Sequence, residues 1–168
     1  MLREQPMFTR PSGILFMQLT RGWILCTVRR TVTRMLPFAD PEGQHAHDAI
    51  HRFFPDGRWH MVGLWQRLAR ILISTFYRSG PITLALDDTL FHHCGQKVDG
   101  AGWWRDAARS TKNKHVSAWG LKLVVLTFQI QPPWDGEPLG LPINMRLHRK
   151  NGSTMIELAQ QMINEVTP

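Results

Sequence analysis

The pattern of hydrophobic positions changes at Ser-Gly-Pro, residues 79–81. Before this break, apolar residues recur at helical spacing in three segments, at 13–26, 39–54 and 61–77. Gly80 and Pro81 then end the helical pattern, because proline cannot continue a helix and glycine adopts turn conformations readily. We therefore predict a helical region over residues 1–79.

The middle helix of this region carries a start signal of its own. Asp40 can cap a helix over 39–54, and Pro41 suits the first helical position. Pro-Asp-Gly at 55–57 predicts a turn after it. The apolar face of this helix would consist of Ala46, Ile50, Phe53 and Phe54.

The second region, 80–168, is dominated by continuous apolar runs, which predict strands. Three such runs lie at 82–86, 121–130 and 139–147. Residues 152–166 return to helical spacing, and Pro142 predicts an edge or a bulge in the third strand. Residues 92–115 contain several glycines and charges, and predict a long loop.

The order strand, strand, strand, helix has a consequence for the sheet. A helix such as 153–166 is the crossover that a following parallel strand requires. The sequence ends at Pro168, before any such strand. We therefore expect an incomplete sheet with an open edge beside 82–86 or 121–130, a feature that favours aggregation.

Two adjacent acids follow the first predicted strand. The run at 82–86 is apolar on both faces, typical of a strand covered on both sides, and it is followed by Asp87, Asp88 and Thr89. Such carboxylates can cap a turn, bind a hard cation such as Mg²⁺ or perform acid–base chemistry. Neighbouring strand residues point to opposite faces, so we expect only one of the two acids to enter a site.

The charge of the chain favours acidic partners. The formal net charge is +7 and the sequence pI is about 10.3, which makes nucleic acid the first candidate and an anionic membrane surface the second. The alternative is a soluble basic protein whose charges are only solvated. The residues predicted to contact DNA are Arg29, Arg30 and Arg34 in a short basic segment, Trp103, Trp104, Arg105, Arg109, Lys112 and Lys114 in the loop, and Arg146, Arg149 and Lys150 near the third strand.

Each of these groups has a structural alternative. The segment Arg-Arg-Thr-Val-Thr-Arg at 29–34 resembles the start of a helix-turn-helix, or it is an ordinary solvated helix face. The paired tryptophans Trp103 and Trp104 suit stacking on bases, or they pack beneath the loop.

Cysteine and histidine positions argue against disulfide and zinc frameworks. Cys26 and Cys94 lie far apart, which fits a reducing cytosol. His-His-Cys at 92–94, with His115 downstream, lacks the paired spacing of structural zinc sites. The most apolar early stretch, 13–28, contains Arg21 and is too short and too charged to span a bilayer. We therefore expect a cytoplasmic protein without a membrane span.

The segments LALDDTLFHHCGQKVDGAGWWRDAARSTKNKHVSAWGLKLVVLTF (84–128) and EPLGLPINMRLHRK (137–150) resemble the first part of the catalytic domain of DDE transposases of bacterial insertion sequences. The resemblance begins near residue 12 and includes GWILCTVRRTVTRML, which is similar to the DNA-binding region of that family. It implies an α+β or α/β fold, in which a helical region precedes the first three strands and first helix of an RNase H-like domain, incomplete at the C-terminus.

The resemblance also implies roles for the two acids. The family motif is an apolar run, Asp, any residue, then Thr or Ser, and Asp87-Asp88-Thr89 matches it. Asp87 would then be the catalytic Mg²⁺ ligand, with Asp88 as the alternative. The intact enzyme would cut and rejoin transposon-end DNA by metal-assisted phosphoryl transfer, as a possible homodimer associated with the nucleoid.

The sequence departs from the family in its later acids. The second Asp of the family follows a helix like 153–166, and the Glu lies on a later helix, so neither position exists here. The acids after residue 130 are poor substitutes, namely Glu157 and Glu165 on the predicted helix and Asp135 and Glu137 in a turn. We therefore expect a transposase fragment that binds Mg²⁺ weakly and does not cut DNA alone. The alternatives are a DNA-binding regulator without catalysis and a decayed remnant.

Overall fold

The structure is a computed structural model that describes residues 7–57, 59–95 and 97–166. These residues form five helices and a four-stranded antiparallel sheet, a mixed α+β fold consistent with an RNase H-like domain, as predicted. The chain divides into two compact units between Leu64 and Trp65. The elements are α1 (Arg10–Leu25), α2 (Val32–Ala39), α3 (His47–Asp56), α4 (Met61–Phe76), β1 (Leu84–His92), β2 (Gly102–Arg105), β3 (Ser117–Ile130), β4 (Leu139–His148) and α5 (Met155–Val166).

The first unit is a small helical core. Its buried side chains are those of Leu19, Cys26, Met35, Ile50 and Phe53. Helices α1 and α2 approach closely at Gly22, where an added Cβ would lie 2.9 Å from the Cβ of Ala39 and 3.0 Å from the carbonyl oxygen of Met35. A larger residue at position 22 would therefore force the two helices apart.

The predicted start of the middle helix is wrong. Asp40 does cap backbone groups, but its carboxylate accepts the N–H groups of Gln44 at 3.0 Å and His45 at 2.8 Å, which closes a turn. Gly43 lies in this turn with a φ of +63°, a conformation that a helix cannot contain. Helix α3 therefore begins only at His47 and runs on through the predicted turn to Asp56. Of the four predicted apolar positions, Ala46 precedes this helix and Phe54 is exposed.

Helix α4 matches its prediction and carries core residues of the second unit. Ala69 is buried against the sheet, and Leu72, Ile73 and Phe76 pack around the same core. Ile71, on the same helix, is half exposed. None of the helices within the described ranges combines the length and apolar character needed to cross a bilayer.

Strand β3 is the centre of the sheet. On one side it pairs with β1, from Leu84 opposite Phe128 to His92 opposite Gly120. On the other side, residues 117–120 of β3 pair with β2, and residues 122–130 pair with β4. The register with β4 shifts between Leu126 and Thr127, at a bulge beside Pro142. The predicted edge or bulge at Pro142 is thereby confirmed.

Three strand predictions need correction. Strand β1 does not end before the acids but continues to His92, because β3 supplies backbone partners over its whole length. It is also largely exposed rather than covered on both faces. The open edge was expected beside either 82–86 or 121–130. Within the described sheet, β3 is paired on both sides, so of these two places only the one along β1 remains. The predicted loop at 92–115 contains the fourth strand, β2.

The second hydrophobic core lies between one face of the sheet and helices α4 and α5. It consists of Ala69, Val124, Leu126, Phe128, Ile130, Ile143, Leu158 and Met162. Helix α5 begins with a reciprocal cap, in which Thr154 Oγ1 accepts the Glu157 N–H at 3.2 Å and the Glu157 carboxylate accepts the Thr154 N–H at 2.8 Å. Ile156, in the same helix, is 82% exposed.

Candidate cation site and nucleic-acid interface

The two adjacent acids lie in the middle of β1 on opposite faces of the sheet. Asp87 is opposite Val125 and Asp88 is opposite Val124 in the register with β3. Directly opposed residues of antiparallel strands share a face, and Val124 belongs to the helix-covered core. Asp88 therefore lies on the helix-covered side and Asp87 on the other side, as the strand alternation predicted.

The two carboxylates have different electrostatic partners. The carboxylate of Asp88 forms an ion pair with the Lys122 ammonium at 3.0 Å, and the Lys122 side chain is only 16% exposed. Asp87 is exposed, and its Oδ1 accepts the backbone N–H of Asp88 at 2.8 Å. The structure thus gives Asp88 a basic partner on one face of the sheet, whereas Asp87 is exposed on the other face.

The donor set fits a hard cation only in part. Carboxylate oxygen is the ligand that Mg²⁺ prefers, and Mg²⁺ commonly takes one or two carboxylates together with water and phosphate oxygens. The four strands contain no acids besides Asp87 and Asp88. Over residues 7–57, 59–95 and 97–166, no group of three or more His, Cys, Asp or Glu residues could hold a metal. Asp87 can therefore supply one ligand of a bound cation. The other ligands have to come from groups other than a cluster of described His, Cys, Asp or Glu side chains.

Two of the acids considered as substitutes, Glu165 and Glu157, are engaged elsewhere. Glu165 forms an ion pair with Arg146, and its carboxylate also accepts the Asn144 side-chain amide at 2.9 Å. Asn144 is fully buried, so this network holds α5 against β4. The Glu157 carboxylate caps its own helix.

His92 spans the sheet to a buried acid. Its Nε2 lies 2.8 Å from Oδ2 of Asp106, which is only 4% exposed. The bond crosses β3 where the residues on that face are Ala118 and Gly120, which leave room for the imidazole. At Gly120 an added Cβ would lie 2.2 Å from the carbonyl oxygen of Phe91.

Asp106 organises the loop that joins β2 to β3. Its carboxylate accepts the Arg109 N–H at 3.1 Å, its own N–H donates to the Val116 carbonyl at 2.9 Å, and its carbonyl accepts the Ser110 N–H at 3.0 Å. Burial opposes ionisation of Asp106, but the His92 and Arg109 contacts outweigh burial and hold its pKa below the ordinary value. An ionised carboxylate thus fixes the base of the loop.

The paired tryptophans lie on opposite faces of β2. Trp103 is 60% exposed and contacts Trp119 edge-on, with ring centres 6.0 Å apart. Trp104 is half-buried, with the ammonium groups of Lys122 and Lys150 at 5.7 and 5.6 Å from its ring centre. Neither ring belongs to the buried core clusters of the described residues.

The basic residues of the second unit that were predicted to contact DNA differ in their exposure and in their acidic partners. Arg105, Lys112 and Lys114 are exposed on β2 and its loop, and the Arg109 guanidinium lies 3.5 Å from Asp106. Arg146 is bound to Glu165.

Two further basic side chains near β4 are also engaged. Arg149 donates to Asp99 at 2.8 Å, an ion pair that lowers the pKa of Asp99 and raises that of Arg149. Lys150 lies over Trp104. Among the second-unit cations predicted to contact DNA, Arg105, Lys112 and Lys114 on the β2–β3 hairpin are exposed, whereas those near β4 are engaged.

In the first unit, the three predicted arginines surround the start of α2. Arg29 and Arg30 precede the helix, and Arg34 lies within it; all three are exposed. Arg30 Nε donates to the Trp23 carbonyl at 2.9 Å, and its guanidinium lies 5.9 Å from the centre of the Trp23 ring. Arg30 is thereby held against α1, whereas Arg29 is exposed in the α1–α2 connection and Arg34 is exposed on α2.

Sequence reasoning missed three residues of the site. Lys122 is the single charge in the apolar run of β3, and that isolation was the available signal for a cation facing one acid of β1. Asp106 and His92 gave no such signal, because residues 14 positions apart are brought together only by the pairing of β1 and β2 with β3.

Comparison with known proteins gives one match. A family model described as DDE superfamily endonuclease matches residues 10–137, which include both acids and the three arginines. No curated protein and no solved structure matches the chain significantly.

Proposed function

The chain belongs to the family of DDE superfamily endonucleases, and from this we propose that it acts in DNA transposition, at the ends of a bacterial insertion sequence. Family membership supports DNA as the substrate and a divalent metal ion as the cofactor. The proposed finer partners are transposon-end DNA and, in the intact enzyme, a second copy of the protein. The proposed location is the nucleoid.

We assign the metal-ligand role to Asp87 rather than Asp88. The observation that carries this assignment is the Asp88–Lys122 ion pair, which neutralises one acid and leaves the other exposed on the opposite face. Asp87 would hold Mg²⁺ together with water and DNA phosphate oxygens. When bound, the ion would polarise a phosphodiester and stabilise the charge that develops during its displacement.

The metal assignment can be tested by paramagnetic broadening. Mn²⁺ titrated into the isotope-labelled chain with end DNA should broaden the amide signals of β1 around Asp87. Asp87→Asn should abolish this broadening, whereas Asp88→Asn, the matched control one residue away, should retain it. Equal loss in both variants, or loss in Asp88→Asn alone, would contradict the assignment.

DNA binding in the first unit is assigned to Arg29, Arg30 and Arg34. Replacing all three with alanine should weaken binding to duplex end DNA and make the binding less dependent on salt, by about 0.9 in the log–log slope for each phosphate that the protein no longer neutralises. The charge-matched control replaces three other exposed arginines, at positions 10, 21 and 78. The assignment fails if both triple variants bind equally well at moderate salt.

A second candidate function is DNA binding without cleavage. The observation that favours it is the absence, among the described residues, of a metal-binding group of three or more side chains. A regulator of this kind would occupy transposon ends and block the active enzyme. Salt-dependent end binding by the purified chain, with no Mg²⁺-dependent nicking, would support it; nicking abolished by Asp87→Asn would exclude it. A decayed remnant is the interpretation to accept if the chain neither binds DNA nor stays soluble.

A further inference from the structure

The sheet face that carries Asp87 also carries three aromatic side chains. Trp103 on β2 is opposite Trp119 on β3, and Phe91 on β1 is opposite Leu121, two positions from Trp119. Trp119 and Val125, the partner of Asp87, differ by an even number of residues, so they share this face. At about 3.4 Å per residue, Phe91 lies about 14 Å along β1 from Asp87, and Trp119 lies about 20 Å along β3 from Val125.

Two of these aromatic rings are exposed, and the ring of Trp103 is held against Trp119. Trp103 is 60% exposed and Phe91 is 52% exposed. The Trp103 ring leans on Trp119 at an interplanar angle of 68°, and Trp119 Nε1 donates to the Gly95 carbonyl at 2.9 Å. Trp103 therefore presents a fixed aromatic surface. Because its side chain is already held in place, stacking of a ligand removes little further side-chain freedom from Trp103.

Cations lie beside the exposed rings. Arg105 is two residues from Trp103 on the same strand, so it shares the Trp103 face, and it is exposed. Lys112 and Lys114 are exposed in the adjoining loop. Aromatic platforms with neighbouring cations are the arrangement that binds single-stranded nucleic acid, in which bases are free to stack on protein and phosphates need neutralising.

Trp104, although adjacent in sequence, does not share this property. It lies on the other face of β2, and the ammonium groups of Lys122 and Lys150 already occupy positions near its ring. The sequence grouped the two tryptophans together, but the fold places them on opposite faces of β2. Trp103 is an exposed aromatic surface, whereas the ring of Trp104 contacts lysine side chains.

We propose that unpaired bases of single-stranded DNA stack on Trp103, with Phe91 extending the platform toward Asp87. This inference rests on the proposed DNA function and deepens it, because it states that the chain binds an unpaired strand as well as a duplex. The bound strand would run from the aromatic platform toward Asp87, a span that a few extended nucleotides cover. The basic hairpin would neutralise its phosphates.

The test compares one labelled oligonucleotide with its duplex. Fluorescence anisotropy of the full chain should show that Trp103→Ala weakens single-strand binding about tenfold or more, within the range that loss of base stacking produces. Duplex binding should be unchanged, and Trp103→Phe should retain most of the single-strand affinity. Trp134→Ala is the matched control, since Trp134 is 66% exposed but lies in the turn between β3 and β4, and it should change neither affinity.

The possible failures are distinguishable. If the parent chain binds neither DNA form, the proposed DNA function fails and the inference fails with it. If the parent binds DNA but Trp103→Ala, with an unchanged circular dichroism spectrum, weakens both forms equally or neither, the stacking inference alone is overturned. A dimer that Trp103→Ala disrupts, seen by sedimentation without DNA, would assign this face to a second copy of the chain and would also overturn it.

Discussion

The Lys122 ammonium lies 3.0 Å from the Asp88 carboxylate, so a basic residue in the central strand neutralises one of two adjacent acids in the edge strand. The pair lies on the helix-covered face of the sheet, whereas Asp87 lies on the other face. The ion pair with Lys122 is what distinguishes the electrostatic surroundings of two residues that are identical in type and adjacent in sequence.

The first prediction concerns the coupling between these two side chains. Lys122→Met should destabilise the chain, and a double-mutant cycle with Asp88→Asn should give a coupling free energy of about 0.5–1 kcal/mol, as for a partly exposed ion pair. Chemical denaturation of the four proteins measures it. Asp87→Asn in place of Asp88→Asn is the control cycle and should give no coupling; equal coupling in both cycles would contradict the geometry.

The second prediction concerns the close contact of β1 and β3. Gly120→Ala would place a Cβ 2.2 Å from the carbonyl oxygen of Phe91, a backbone atom that cannot rotate away. We expect a loss of about 2–3 kcal/mol in unfolding free energy, typical of overpacking. Gly152→Ala is the control, because the atom nearest to its added Cβ is the Arg149 Cβ at 3.3 Å, a much milder approach than that at Gly120. A Gly120→Ala variant as stable as the parent would show that the strands separate easily there.

The third prediction concerns pH. The folded-state pKa of Asp106 lies below its ordinary value of 3.8, so its contribution to stability is complete above that pH and is lost as the pH falls through the lower folded value. Asp106→Asn should therefore destabilise the chain at neutral pH and make the unfolding free energy fall less steeply under acid conditions. Asp135→Asn, in an exposed turn, is the control for the loss of one acid. Parallel pH profiles for Asp106→Asn and the parent would disprove this role.

The fourth prediction concerns helix α5. Met162 is fully buried against the sheet, whereas Ile156 in the same helix is 82% exposed. Met162→Ala should lower the unfolding free energy by about 2–5 kcal/mol, since it leaves a cavity. Ile156→Ala should change it by less than about 0.5 kcal/mol. Similar losses in both variants would mean that α5 packs through a different face.

Sequence alone predicted the long elements well, because hydrophobic periodicity is a local property. Helix α4 and strand β3 lie close to their predicted limits. It failed at β1, where the polar residues Asp87, Asp88 and Thr89 interrupt the apolar run and the strand continues to His92 because β3 offers backbone partners. It also failed at β2, where four residues form a strand by pairing with the extended start of β3.

The candidate site was also predictable only in part, where local strand alternation was enough. Strand alternation was enough to place Asp87 and Asp88 on opposite faces. Which of the two would be neutralised depended on Lys122, a residue 34 positions after Asp88 whose distance is set by sheet register. The status of Arg146 and Arg149 likewise depended on acids, Glu165 and Asp99, that only the folded chain brings to them.

The edge-on contact of Trp103 and Trp119 has an optical consequence. Two indoles whose centres are 6.0 Å apart, with rings tilted by 68°, are close enough for their electronic transitions to couple. Such coupling produces a paired positive and negative band in the circular dichroism spectrum that an isolated tryptophan lacks. The hairpin of β2 and β3 thus carries a built-in spectroscopic reporter, which will disappear when that hairpin opens and will respond when a ligand rotates the exposed ring.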